Sequence, residues 1–279
     1  MEFTKMQGAG NDFILINNIS GEINGDTFGP VAKRLCSRRL SIGADGLMLI
    51  EKARRGADVK MLFFNADGTN GEMCGNGARC ICRYVYENGL SDETQTIETM
   101  AGIVTGKRID KRIYQVRLND ISKLIFDVDI NVGGKDYKVD YLEMGNPGLP
   151  HAIVQIDGLK DKDLDDLRVV GREIRYSDKF PKGVNVNFYD VIGEDEIQEL
   201  TYERGVEDFT LACGTGTGCL VSALTLKGAV SGKCVRVHVR GGDLIISVKM
   251  NGDMIRDILL TGPTNYVCEG TIMDEDLTY

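Results

Sequence analysis

"MCGNGARC" (Met73–Cys80) sets a cysteine directly before a Gly-Asn-Gly turn and the start of a helical pattern, and "ACGTGTGC" (Ala212–Cys219) repeats the arrangement about half a chain later. A thiol that only fills a core needs no glycine turn beside it. Glycines after Cys74 and Cys213 let backbone N–H groups point outward at a helix start, where four donors lack partners. Such an end binds an anion, for instance a carboxylate, and draws a thiol pKa down from about 8.5 toward neutrality. Taken singly, each turn is equally well a small core cysteine followed by capping glycines. Taken together they say more. If the halves face each other, the two thiols lie on opposite sides of one bound molecule, as inversion at a carbon requires: a base on one face, an acid on the other.

Around these turns the chain is strand-rich with few helices. "FILIN" (Phe13–Asn17) and "KMLFFNADG" (Lys60–Gly68) have strand character, the second ending in an Asx/Gly turn. Helical patterns fit Thr27–Arg39, Gly75–Asn88 (stopped by Gly89), Asp163–Arg175 and Gly214–Lys227 (closed by Gly228). "QTIETMAGIVTGKRI" and "IYQVRLND" read as strands paired around a turn. "KVDYLEMG", "HAIVQI", "GVNVNFYDV", "EIQELTYE", "CVRVHVR", "DLIISVKM" and "DMIRDILLTG" alternate as sheet strands do. Leu124–Asp140, centred on Gly133-Gly134, reads as irregular and as the place for a domain crossover. One cysteine turn per half, each opening a helix, points to two related halves.

The 279 residues are enough for two cores of ordinary size, and 42% hydrophobic with 27% charged residues is a globular composition. A net charge of −9 argues against nucleic-acid or anionic-membrane partners, which select a basic face. The opening "MEFTKMQGAGNDFILI" lacks the regions of a signal peptide, and no apolar run approaches the roughly 18 residues of a membrane span. The expected address is cytoplasmic. The eight cysteines are then expected as thiols, not as a disulfide framework. Cys74, Cys80 and Cys82 follow C-x5-C-x-C spacing, which is not a zinc knuckle, so no metal is expected. "GTGTG" lacks the G-x-G-x-x-G spacing of a dinucleotide turn, and no Walker lysine motif is present.

"GAGNDF" (Gly8–Phe13), "IGADGL" (Ile42–Leu47), "FNADG" (Phe64–Gly68) with "MCGNGARC", "GVNVNF" (Gly183–Phe188), "YERGVEDFTLACGTGTG" (Tyr202–Gly218) and "LTGP" (Leu260–Pro263) resemble, in this order, the blocks of the diaminopimelate epimerase family. The resemblance spans nearly the whole chain. It implies an α/β (α+β) architecture of two similar domains, each a curled, mostly antiparallel sheet around a central helix, with the active site in the cleft between them. The expected division is 1–123 carrying Cys74, 124–262 carrying Cys213, and 263–279 returning to the N-terminal domain. The implied reaction is epimerisation of LL- to meso-diaminopimelate, a small-molecule amino acid, without pyridoxal phosphate or any other cofactor. Homodimer formation is left open.

By the same resemblance Cys74 and Cys213 are the acid/base pair, with His151 and Glu203 near the thiols. Gly75, Asn76, Gly77, Gly214 and Thr215 line the reacting carboxylate. Asn11, Asn65, Asn187 and Arg204 hold the distal amino-acid end, with Asn187 favoured over Asn185. An arginine grips a carboxylate through two parallel hydrogen bonds, and asparagines serve carboxylate and ammonium alike. His238, inside an alternating strand, is read as structural. In one block the chain departs from the family: "MGNPGLPHA" carries an inserted Gly148-Leu149-Pro150 before His151, which bears on the reach of Asn146. A cofactor-independent racemase of another amino acid, such as histidine, is the alternative within the fold. A non-catalytic small-molecule or phosphate binder is the alternative outside it, and it has no use for paired thiols.

Overall fold

The computed structural model describes residues 1–71, 73–252, 254–273 and 275. The chain forms two compact units, residues 1–116 with 262–279 and residues 117–261. In the first, β1 (Glu2–Gly8) and β2 (Asn11–Asn17) make an antiparallel hairpin. The chain then crosses through α1 (Gly29–Cys36) to β3 (Gly46–Lys52), parallel to β2. Next come β4 (Val59–Asn65), the short β5 (Asn70–Gly71) and α2 (Gly75–Glu87). β6 (Thr94–Thr99), parallel to β4, leads into β7 (Gly102–Arg108) and β8 (Ile113–Arg117).

The second unit repeats this order. After β9 (Ile121–Val132), β10 (Lys135–Met144) and β11 (Leu149–Gln155) form the hairpin, and α3 (Leu164–Arg175) crosses to β12 (Asn185–Gly193), parallel to β11. β13 (Glu196–Glu203), β14 (Asp208–Phe209) and α4 (Gly214–Leu226) follow. β15 (Val235–Val239), parallel to β13, then leads into β16 (Gly242–Asn251) and β17 (Met254–Pro263). The last strand, β18 (Asn265–Thr271), runs antiparallel to β1 and so belongs to the first unit.

Each unit carries one outer and one inner helix, and this explains the apolar runs. Ile14, Ile16, Leu47 and Leu49 of β2 and β3 pack with Ala32 and Leu35 of α1, while α2 packs against β1, β2, β6 and β7. Val186, Phe188 and Tyr202 pack with Leu167 and Ile174 of α3, while α4 packs against β10, β11, β12 and β16. Strands covered on both faces need no polar alternation, so β3 and β12 are buried through five successive residues. The inner helices are buried along nearly their whole length, and α4 is accordingly apolar or small all round. No helix among the described residues is long and apolar enough to cross a membrane.

Two expectations need correction. Leu124–Asp140 is not irregular: it is the greater part of the β9–β10 hairpin, turning at Gly133 and Gly134, both at positive φ. Val128, Ile130 and Val132 alternate with Asp127, Asp129 and Asn131 and pack against the core of the second unit, whereas the more exposed first half of β9 lacks that alternation. Nor is it a crossover, since the units divide at 116/117 and 261/262. The helix expected over Thr27–Arg39 is shorter. A 3-10 turn, Gly25–Thr27, precedes α1, whose first turn accommodates Pro30. Residues 276–279 of the expected C-terminal segment, and Asp274, lie outside the described residues.

Candidate functional site

In the first unit Cys74 is the N-cap of α2, with φ −127° and ψ 119°. Gly75, Asn76 and Gly77 form the first turn behind it, and a Cβ on Gly77 would run into Met48 Cε. Asn11, at the start of β2, donates from Nδ2 to Asp45 Oδ2 at 2.5 Å. Its Oδ1 accepts from Cys74 Sγ at 3.6 Å and from Asn76 Nδ2 at 3.5 Å. Asp45 is in turn held by Arg38, which also bridges Asp12. Asn11 is therefore oriented toward the thiol by a charged network. Asn65 closes β4, and its amide donates to Thr69 Oγ1 at 3.0 Å.

In the second unit Cys213 caps α4 with nearly the same backbone, φ −124° and ψ 97°. Gly214, Thr215 and Gly216 form its first turn, and Sγ lies 3.6 Å from Thr215 Oγ1. A Cβ on Gly216 would collide with Asn187 Oδ1. The expected lowering of the thiol pKa does not hold at Cys213. Burial and the Glu203 charge push it well up, against the Thr215 hydroxyl and the Gly216 N–H. Desolvation outweighs the helix end there. Burial likewise pushes Cys36 and Cys80 up to about 12.

His151 sits at the start of β11, opposite Asn185 in the parallel pairing with β12. Leu149 and Pro150 begin the same strand, paired with Met144 and Glu143. Asn187 Nδ2 lies 3.2 Å from His151 Nδ1 and donates to the Ala152 and Asn185 carbonyls, while Thr201 Oγ1 donates to Asn187 Oδ1. The carbonyl partners fix the amide orientation, so Nδ1 accepts and the ring proton resides on Nε2. Nε2 has no hydrogen-bond partner. Burial, then the Arg204 charge, drive the His151 pKa down to about 3, so the imidazole is neutral.

Asn187 is thus fully buried, with its amide hydrogen-bonded within the second unit. Asn185 and Asn187 share a strand face and both are buried, so their hydrogen-bond partners, not alternation or exposure, separate them. Asn185 Oδ1 accepts the Arg204 backbone N–H at 2.8 Å, and Arg204 Nη1 donates to the Lys182 carbonyl at 3.1 Å. Glu203 and Arg204 are half-buried, at the end of β13 and just beyond it. His238 bridges Glu196 and Asp243 at 2.7 and 2.8 Å, a structural role across β13, β15 and β16.

Glu199 was not singled out by its sequence context. It is buried on β13, and its Oε2 lies 2.6 Å from Thr217 Oγ1, which also contacts the Cys213 carbonyl at 3.0 Å. The signal was present: in "EIQELTYE" an acid occupies the parity of Ile197 and Thr201. Burial raises its pKa to about 8. A folded-state value above the ordinary 4.5 means that the native protein holds a proton the unfolded chain releases, so stability falls as pH rises from about 4.5 to about 8. Glu199→Gln removes that penalty. Its stability relative to the parent should rise by on the order of 1 kcal/mol per pH unit across this window in urea unfolding. A pH-independent difference would show that the carboxyl ionises freely in the native state.

The fold of two repeated units, each with an inner helix, is shared by solved structures of low sequence identity. The crystal structure of a hydroxyproline epimerase from Agrobacterium vitis superposes with a TM-score of 0.69 at 16% identity, covering 98% of this chain and 90% of that one. The sequence narrows this further. A sequence model of the diaminopimelate epimerase family matches residues 3–116 and 144–267. The diaminopimelate epimerase of Aquifex aeolicus is 36% identical over the full length of both chains, and that of Archaeoglobus fulgidus is 37% identical over 99% of this chain and 98% of its own. The chain belongs to the diaminopimelate epimerase family.

Proposed function

We propose that the protein interconverts LL- and meso-diaminopimelate, with Cys74 and Cys213 as the two acid/base groups. The observation that carries this is the matched pair of cysteines, each the N-cap of the inner helix of its unit with nearly the same backbone conformation. One thiolate takes the α-proton and the other thiol returns a proton to the opposite face. The N–H groups of Gly75, Asn76 and Gly77 and of Gly214 and Thr215 receive the carboxylate, whose charge grows as the proton leaves. His151, neutral with its proton on Nε2, and Glu203 complete the polar surroundings of Cys213. Asn11 orients Cys74. Arg204, Asn185 and Asn65 receive the distal amino-acid head, and Asn187 acts by fixing His151. The substrate is a small molecule of the cytoplasm.

Two thiols at helix starts supply acid and base directly, so no electrophilic cofactor is required. Dialysed protein should exchange the α-proton of diaminopimelate in deuterated water at full rate and show no absorbance from an aldimine. Exchange that appears only on adding pyridoxal phosphate would overturn this reading. The inserted Gly148-Leu149-Pro150, in a block that otherwise follows the family, favours testing a second reading in the same assay. Faster exchange with histidine or another single-headed amino acid would move the substrate and leave the two-thiol mechanism standing.

A further inference from the structure

Arg204 stands in the hairpin loop between β13 and β14, and that loop is braced by a second arginine. Residues 204–207 join the two strands, and the Glu207 N–H donates to the Glu203 carbonyl at 2.8 Å. Two of the four loop residues are left-handed, Gly205 at φ +90° and Glu207 at φ +57°. Glycine adopts that region freely; a residue with a Cβ stays there only where its surroundings hold it. Its own carboxylate holds Glu207. Oε1 accepts the Gly205 N–H at 3.0 Å and lies 3.2 Å from Arg175 Nη2, while the buried Tyr202 donates from its hydroxyl to Oε2 at 3.4 Å. One carboxylate thus ties together the strand before Arg204, the residue after it and the end of the loop.

Arg175 is the last residue of α3, and its side chain is largely buried. Its Nη1 packs against the backbone of Gly183, another left-handed residue at φ +63°, where a Cβ would overlap the guanidinium. Lys182, directly before that glycine, supplies the carbonyl that accepts from Arg204 Nη1 at 3.1 Å. Asn185, two residues beyond it, supplies the Oδ1 that accepts the Arg204 N–H at 2.8 Å. Both anchors of Arg204 therefore flank the point where Arg175 meets the backbone, and the loop that presents Arg204 is tied to the same guanidinium through Glu207. An ion pair with a partly exposed carboxylate adds little to stability; this one fixes the direction of a loop. Glu207 also lines a surface hollow with Tyr176 and Tyr202, so its truncation leaves no sealed void.

We infer that Glu207, braced by Arg175, is a positioning residue that sets where the Arg204 guanidinium sits, and through it the preference for a substrate with a distal carboxylate. This deepens the reading of Arg204 as the group that receives that carboxylate, and rests on it. A misplaced fork loses directional hydrogen bonds to the carboxylate, so the effect falls on binding of the distal end and not on proton removal at the α-carbon.

Steady-state kinetics of the full chain on diaminopimelate and on lysine test this. Glu207→Gly removes the carboxylate while glycine takes the left-handed conformation without strain, so its thermal melt should match the parent. KM for diaminopimelate should rise about tenfold, the lower end of what one charge-assisted hydrogen bond contributes, with kcat near the parental value and kcat/KM for lysine unchanged. Arg175→Gln should reproduce that rise from the other side of the pair. Glu207→Gln keeps an acceptor for the Gly205 N–H but not the charge facing Arg175, so it should restore part of the affinity, and its raised KM gives the same test should the glycine variant not fold. A parental KM in the Glu207 variants, beside lost discrimination in Arg204→Lys, would overturn the brace and leave Arg204 in its role. Parental discrimination in the Glu207 and Arg204 variants alike would overturn Arg204 as the partner of the carboxylate, and the brace with it. Equal losses of kcat on both substrates at unchanged KM would mark a general disturbance of the unit and would overturn the assignment too.

Discussion

Cys74→Ala and Cys213→Ala should each lose epimerisation by at least about 10²-fold, the lower end of what a positioned general acid or base contributes. The loss should be chemical in origin. Alanine keeps the extended cap backbone and removes sulfur contacts that are long, 3.6 Å to Asn11 Oδ1 at Cys74 and 3.6 Å to Thr215 Oγ1 at Cys213. Thermal melts of both variants should therefore stay close to the parent. The two should differ in half-reactions: each keeps one thiol and can still exchange the α-proton of the isomer whose proton faces that thiol. Chiral analysis in deuterated water reads both events. Parental epimerisation by either variant would refute a two-base mechanism.

The second large effect concerns the distal end of the substrate. Arg204 is anchored through its backbone to Asn185 and through one guanidinium nitrogen to the Lys182 carbonyl, which leaves the rest of its planar fork to a carboxylate. A lost charge-assisted hydrogen bond costs ~1.5–3 kcal/mol, and the stranded partner adds to it. Diaminopimelate should thus exceed lysine, which lacks the distal carboxylate, by about 10²-fold in kcat/KM. Arg204→Lys keeps the charge but not the fork, so most of that preference should vanish while the intrinsic exchange of the α-proton survives. Undiminished discrimination by Arg204→Lys would place the distal carboxylate elsewhere.

The elements that announced themselves in the sequence are those whose burial is one-sided or complete. α2, α3 and α4 fall within a residue or two of where caps and periodicity put them, because Asp163 and the two capping cysteines start them visibly. β9 escaped because its apolar face, Val128, Ile130 and Val132, covers only its second half, while the exposed first half carries no alternation. The site divides along the same line. Cys74, Cys213 and Arg204 stand out by motif. The roles of Asn187 and Glu199 depend on their buried hydrogen-bond partners, and those are decided by what the remote strands and α4 pack over them. Desolvation is also what reverses the expected shift at Cys213, and no local spacing encodes it.

The pairing of β18 with β1 has a consequence for synthesis on the ribosome. Residues 117–261 are contiguous, so the second unit can close as soon as that stretch has emerged. The first unit has emerged earlier except for its final strand, and until β18 arrives β1 offers an open edge to any passing chain. The half that is translated first is therefore completed last. During the whole interval it carries the first of the two thiols in an unfinished domain, the state most exposed to misassociation and to chaperones.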